Sequence, residues 1–346
     1  MACRIPIMPP AYRPVERETP ITPRENLMRA FKHEKPMWMP NFYADSQMCV
    51  AKSSRDMAPT KSAAGVDWFG TNYIFSPEVG INMPAGGVFD CVTEWREKVK
   101  WPDLDAIDWS KDADGFVRDE RKALYMRFSN GIFERLHAFE SFEQALMDLL
   151  LEPDDCRELF ERLADYKIAL FNHIRDVFPL DFIVAADDYG TALAPFFSTE
   201  VFEDLLLEPT RRFVQAVQAR GTRFFAHCCG KVEVFVPYFA DELKVDGIEI
   251  QDINDLPRIV RTYGDRLLIE IKPDPKVVYD DETTDQQFLT HAREIVDTFG
   301  AQCNPGSGAA VNLGCGSAHG YYLMEEELYR YSSAQYAGLK QHGDLR

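Results

Sequence analysis

Short apolar runs of strand length alternate with longer amphipathic stretches through the second half of the chain. Phe182–Ala186, Arg223–His227, Gly247–Gln251, Leu267–Ile271 and Ala310–Leu313 are runs of the first kind. Earlier runs at Met37–Phe42, Gly65–Phe69 and Gly131–Leu136 bring the expected strands to eight. Helical spacing of Leu27, Ala30 and Phe31 predicts a helix near Pro23–Lys32. Phe142–Leu151 and Asp154–Val177 read as helices before the fourth run, and Thr199–Arg220 as one after it, kinked at Pro209. Val232–Asp241 and Leu256–Tyr263 separate the next runs. Thr284–Gly300 opens with Thr284 and Gln287 at capping-box spacing and closes on a glycine.

Strands alternating with helices predict an α/β fold with a parallel sheet and right-handed crossovers. Eight such strands predict closure into a (β/α)8 TIM barrel over residues 23–346. An open doubly wound sheet is the alternative, but no G-x-G-x-x-G or P-loop follows any strand. Residues 1–22 are proline-rich and read as an extended N-terminal arm, packing over the domain or over a second subunit of a homodimer.

Charge narrows the partners. With 56 acidic against 38 basic residues the formal charge is −18, a field that repels nucleic acid. No apolar run approaches the roughly 18 residues of a membrane span, and the N-terminus lacks an apolar signal core. A soluble cytoplasmic protein is expected. The cysteines (Cys3, Cys49, Cys91, Cys156, Cys228, Cys229, Cys303 and Cys315) are too sparse for a disulfide scaffold. Two of them are adjacent and follow a histidine, which points to metal or redox chemistry.

That segment is Phe224-Phe225-Ala226-His227-Cys228-Cys229-Gly230, an apolar strand ending in His-x-Cys. A second strand end, Val311-Asn312-Leu313-Gly314-Cys315-Gly316, carries another cysteine. In a parallel barrel all C-terminal strand ends face one mouth, so distant residues converge there. His227, Cys229 and Cys315 form a borderline-soft set suited to zinc, and three ligands leave one position open, as in catalytic sites. Cys228 competes with Cys229, but strand alternation sends His227 and Cys229 to one side and Cys228 to the other. Buried cysteines and a core histidine are the bland alternative. By the same alternation Gly247, Glu249 and Gln251 share a face, so Glu249 or Gln251 is a candidate displaceable oxygen ligand.

Two further strand ends are polar. Asp187-Asp188-Tyr189-Gly190 follows one strand, and Glu270 and Lys272 end another. Asp187, Glu270 and Tyr189 are candidates for acid–base work or substrate holding. An Asp pair after a strand is equally a helix cap or turn. Lys272 is a candidate for an anionic substrate group, and His319 for a proton donor. Phe42, Tyr43, Trp68, Phe69, Tyr73, Tyr189, Phe196 and Phe197 are candidate mouth aromatics for a flat, apolar substrate, or else packing.

With these residues in place, the sequence resembles the uroporphyrinogen decarboxylase superfamily, and within it the zinc-dependent, corrinoid-linked methyltransferase branch. The landmarks are Arg24 through Ala30 followed by Pro36, Asp187 through Thr191, Ser198 through Pro209, His227 through Gly230, Asp246-Gly247 and Gly314-Cys315-Gly316. The resemblance implies the barrel fold, a zinc ion, and methyl transfer between a small substrate and the cobalt of a separate corrinoid protein. The chain lacks D-x-H-x-x-G, the lower-ligand signature of cobalamin-binding domains, hence the separate carrier. The stretch Pro40 through Gln47 has no basic clamp for a tetrapyrrole carboxylate, which argues against the decarboxylase reaction. Aryl methyl ether demethylation is the leading expectation. Methyl transfer to a thiol such as coenzyme M, uroporphyrinogen decarboxylation, and a non-catalytic zinc- or corrinoid-binding subunit are the alternatives.

Overall fold

The computed structural model describes residues 15–56, 65–76, 81–301 and 308–339. Cys3, Cys303 and the first part of the expected arm lie outside these residues. Among the described residues seven strands of one sheet, the first at Ser46–Met48, alternate with helices, and the fold class is α/β with the βα repeat of a TIM barrel. No helix among the described residues is long and apolar enough to cross a membrane. Among the described residues packing forms two units: 48–56, 65–76, 81–117 and 126–244 make one, and 15–47, 118–125, 245–301 and 308–339 the other.

In the first unit the strands Phe182–Ala186 and Arg223–Cys228 pair in parallel, with Ala186 opposite His227. Their interiors are apolar on both faces, as strands covered by helices require. The helix Pro153–Val177 starts on a proline with Asp154 and Asp155 in its first turn, where the helix dipole favours acids. It buries Leu159, Leu163, Leu170 and Ile174 at helical spacing. The helical stretch between the two strands is broken where expected. Pro209 has no N–H to offer the carbonyl four residues back, and the turn just before it, Phe202–Leu206, widens to π geometry ahead of Leu207–Ala219. The helix expected at Val232–Asp241 is present in irregular form: a 3-10 turn at Glu233–Phe235 runs on without a break into a π turn at Tyr238–Glu242.

Two expected strands of this unit are corrected. Gly131–Leu136 is the start of a helix, Ile132–Phe139, because Asp187 accepts its first N–H groups and Glu134 accepts that of Gly131 at 3.3 Å. The strand lies upstream, at Ala123–Phe128, and spans the boundary between the units. At Gly65–Phe69 only Gly65–Val66 is strand, and it pairs antiparallel with Asn72–Ser76, which in turn pairs with Ile81–Gly86. Asp67 ends it by accepting the N–H groups of Phe69 (2.9 Å) and Thr71 (3.0 Å), while Gly70 takes φ +90°.

A buried charge network fastens this segment to the helices. Arg135 pairs with Asp67 and, at 3.1 Å, with Asp56; Lys167 donates to Asp56 at 2.7 Å and Tyr166 donates to it at 3.0 Å. Two acids balance two bases, so each buried charge has a partner. Phe69 and Tyr73, expected at the mouth, are instead packed into this network: the Arg135 guanidinium sits 4.8 Å from the Phe69 ring centre and Tyr73 donates to Asp67 at 3.3 Å. Trp68 stacks edge-on against Trp109 at 6.2 Å.

In the second unit Gly247–Ile250, Leu268–Ile271 and Ala309–Val311 pair in parallel, in that order. The strand expected at Met37–Phe42 reduces to one parallel bridge, Asn41 with Val311, because Asn41 caps a short helix, Phe42–Asp45. The helix Pro23–Phe31 is capped by Thr22 and opened by a proline. The Thr284 and Gln287 capping box opens Asp285–Phe299. The described end of the arm docks on the last helix, Ala318–Ala337: Arg17 pairs with Glu325 at 3.2 Å and Glu326 at 2.8 Å, its guanidinium 5.0 Å from the Tyr329 ring centre.

Candidate metal centre

The register Ala186–His227 decides which side chains meet at the ends of the two central strands of the first unit. Asp188 and Cys229 each stand two residues beyond a register partner, on the His227 side, whereas Asp187 and Cys228 fall on the other. His227 Nε2 lies 3.3 Å from Cys229 Sγ and 3.6 Å from Asp188 Oδ1. The backbone N–H of Cys229 donates to Asp188 Oδ1 at 2.7 Å. One donor atom from each of the three lies within 4.8 Å of the others. His227 and Asp188 keep side-chain exposures of 14% and 32%, so the cluster is open to a ligand.

The imidazole distinguishes two chemistries. A Cys–His–Asp relay needs the acid on one ring nitrogen and the thiol on the other. Here the carboxylate and the thiol both face Nε2, the arrangement of donors converging on one ion. A nitrogen, a sulfur and an oxygen donor fit zinc. The two supporting loops touch through glycines: Gly230 has φ +94°, and a Cβ on it would lie 2.2 Å from the carbonyl carbon of Gly190.

Asp187, a sequence candidate for catalysis, is occupied on the far side. It accepts N–H bonds from Ile132 (2.8 Å), Phe133 (3.1 Å) and Glu134 (2.8 Å), and the Tyr189 hydroxyl at 3.1 Å. Burial pushes its carboxyl up to about 6, against the lowering pull of those donors. Gly131 is required beside it, since a Cβ there would come 2.3 Å from the Asp187 side chain. Tyr189 is buried among Phe197, Phe202, Phe235 and Phe239, and burial holds its hydroxyl well above the ordinary range. Cys228 is buried too, and its thiol is raised for the same reason.

Cys315, Glu249 and Glu270 belong to the second unit. Cys315 is fully buried, its thiol donating to the Val278 carbonyl at 3.3 Å. Glu249 and Glu270 are register partners on adjacent strands. Lys272 donates to Glu249 and stands 3.8 Å from Glu270, which also accepts from Asn312 at 2.9 Å. Lys272 is therefore part of an inner polar cluster. His319 is exposed and pairs with Asp285 at 2.8 Å.

The sequence reading named Asp188 as part of a polar strand end but not as a metal donor, and it did not single out Glu134 or His137. Asp188 was legible: the alternation that separates Cys229 from Cys228 separates it from Asp187 equally. Glu134 and His137, one turn apart, were hidden by reading their helix as a strand. Burial and the nearby charges of Asp188 and Asp187 hold the Glu134 carboxyl well above its ordinary range. Burial lowers His137 to about 4, with Asp188 opposing. His137 is therefore neutral near pH 7, and the Glu134 carboxyl is biased towards its protonated form.

No curated protein matches the chain. The family model for uroporphyrinogen decarboxylase (URO-D) matches residues 137–322, more than half of its length and a span that includes Asp188, His227, Cys229, Glu249, Glu270 and Cys315. The strand–helix repeat and this match agree, and the chain belongs to the uroporphyrinogen decarboxylase (URO-D) family.

Proposed function

We propose that this URO-D family member is a zinc-dependent methyltransferase, moving a methyl group between a small substrate and the cobalt of a corrinoid carried by a separate protein. The observation that carries the reading is the convergence of Asp188, His227 and Cys229 on one point at partly exposed strand ends. These three would hold the ion; Cys315 and Glu249 remain the donors proposed from the sequence. When bound, zinc supplies Lewis acidity at the heteroatom that carries or receives the methyl group.

The chain's own residues support that chemistry. Asp188 fixes Cys229 through its backbone N–H. A Glu134 carboxyl biased towards its protonated form and a neutral His137 imidazole stand in the electrostatic neighbourhood of Asp188. Phe133, Phe142, Phe196 and Phe197 form an aromatic cluster on the adjoining helices and loop, which favours a flat apolar substrate such as an aryl methyl ether. The family's name reaction, tetrapyrrole decarboxylation, is the second reading, resting on the family match alone.

The test incubates zinc-loaded protein with free cob(I)alamin and a series of methoxylated aromatics, following methylcobalamin by its absorbance. Parallel assays use methylcobalamin with coenzyme M, and uroporphyrinogen with metal-free protein. Methylcobalamin formation that disappears in Cys229→Ser supports the proposal. Turnover of uroporphyrinogen by the metal-free protein, with no methyl transfer in either direction, would overturn it.

A further inference from the structure

The helix Phe142–Leu151 turns Ala145, Asp148 and Leu149 inward, as a surface helix should. Its outward side is the anomaly. Phe142, Met147, Leu150 and Leu151 are 39%, 47%, 70% and 69% exposed, with Glu143 the charged residue among them. A helix apolar on both sides is ordinarily covered on both. The neighbouring helix Pro153–Val177 shows the usual contrast: its outward Arg157 pairs with Asp154 and Asp204.

The apolar surface continues onto the loop that follows Asp188. Residues 191–197 carry no charge, Leu193 is 88% exposed, and Phe196 packs edge-on against Phe142 at 4.8 Å. The patch is thus joined, through a few residues of chain, to a candidate metal ligand. A contiguous apolar surface of this kind marks an interaction site.

Charge selects the occupant. Glu143, Glu152 and Glu200 stand around the patch, Asp154 beside them is paired with Arg157, and the chain as a whole carries −18. A second copy would set these carboxylates against their equals. We infer that the Phe142–Leu151 helix and the Leu193 loop form the docking surface for a partner protein whose apolar face is rimmed by Lys and Arg. Resting on the function proposed above, that partner is the corrinoid carrier, whose docking here brings it beside the strand ends bearing Asp188, His227 and Cys229. Apolar contact at the centre sets the residence time, and the acidic rim speeds and orients the encounter.

The test uses the full-length, zinc-loaded protein with purified cobalamin-loaded corrinoid proteins of the kind that serve methyltransferases. Wild type, Leu150→Glu and Leu193→Glu are compared for carrier binding by calorimetry, for methyl transfer to free cob(I)alamin, and for mass in solution by light scattering. Carrier binding weakened about tenfold or more in each variant, with transfer to free cob(I)alamin and zinc content unchanged, supports the surface. Wild-type affinity in both variants, or no carrier bound by wild type, overturns it. So does a wild-type dimer that the variants dissolve, which assigns the patch to a second copy. Absence of transfer to free cob(I)alamin in wild type sinks the methyl-transfer reading instead, and the binding data still decide the surface.

Discussion

Asp188 accepts the backbone N–H of Cys229 at 2.7 Å, tying together two loops that leave adjacent parallel strands two residues after register partners. The bond places a carboxylate and a thiol on the same nitrogen of His227. It also makes Asp188 a double participant, as a candidate donor to an ion and as the group that holds another candidate donor in place.

Zinc content follows from that geometry. Purified protein should bind zinc, and His227→Ala or Cys229→Ser should lose it, while Cys228→Ser retains it. Asp188→Asn should weaken binding by at least roughly 10–100-fold, the loss typical of an outer-shell partner alone, because Asp188 both holds Cys229 and is itself a proposed donor. Elemental analysis and competition with a chelating dye measure this. Equal zinc in wild type and His227→Ala would remove the basis of the proposed function.

Asp187 gives a contrasting prediction. Its three N–H bonds hold the start of the helix Ile132–Phe139. Asp187→Ala should cost about 1–2 kcal/mol in urea unfolding, the upper part of the range for a lost cap. Zinc content should stay unchanged. Unaltered stability with abolished turnover would return Asp187 to the chemistry.

The buried network predicts a larger loss. Arg135→Met leaves Asp56 and Asp67 with Lys167 as their one remaining buried base among the network residues described. Breaking one partner out of a buried charge set typically costs about 3–5 kcal/mol. A urea midpoint within error of wild type would show that the network contributes nothing.

Glu140 should make stability fall as pH rises. It is buried, and burial, with the neighbouring charge of Asp148, pushes its carboxyl from 4.5 up to about 9. The folded state then keeps a proton that the unfolded state releases, so its contribution is full below pH 4.5 and is lost progressively towards pH 9. Glu140→Gln, neutral at every pH, should gain on wild type across that window. Unfolding curves of the pair that run parallel from pH 4.5 to 9 would contradict the shift.

The later strands, the Pro209 break and the Thr284 capping box were legible in the chain, because each depends on neighbours within a few residues. The His-x-Cys pair was legible for the same reason: alternation is a property of one strand. Alternation alone, however, leaves open which residue of one strand meets which of the next. The register Ala186–His227 settles that, bringing Asp188 to His227 and sending Asp187 to cap a helix 53 to 55 residues earlier. Glycine and an apolar run at Gly131–Leu136 read equally as strand or helix, and the distant carboxylate of Asp187 tipped the choice by satisfying helix N–H groups. Phe69 and Tyr73 were recognisable as aromatic residues, but only the buried pairing of Arg135 with Asp67 determined that they pack there. Local sequence thus set the elements and the ligand types. Their partners depended on long-range hydrogen bonds and buried charge, which exist only once the strands and helices have come together.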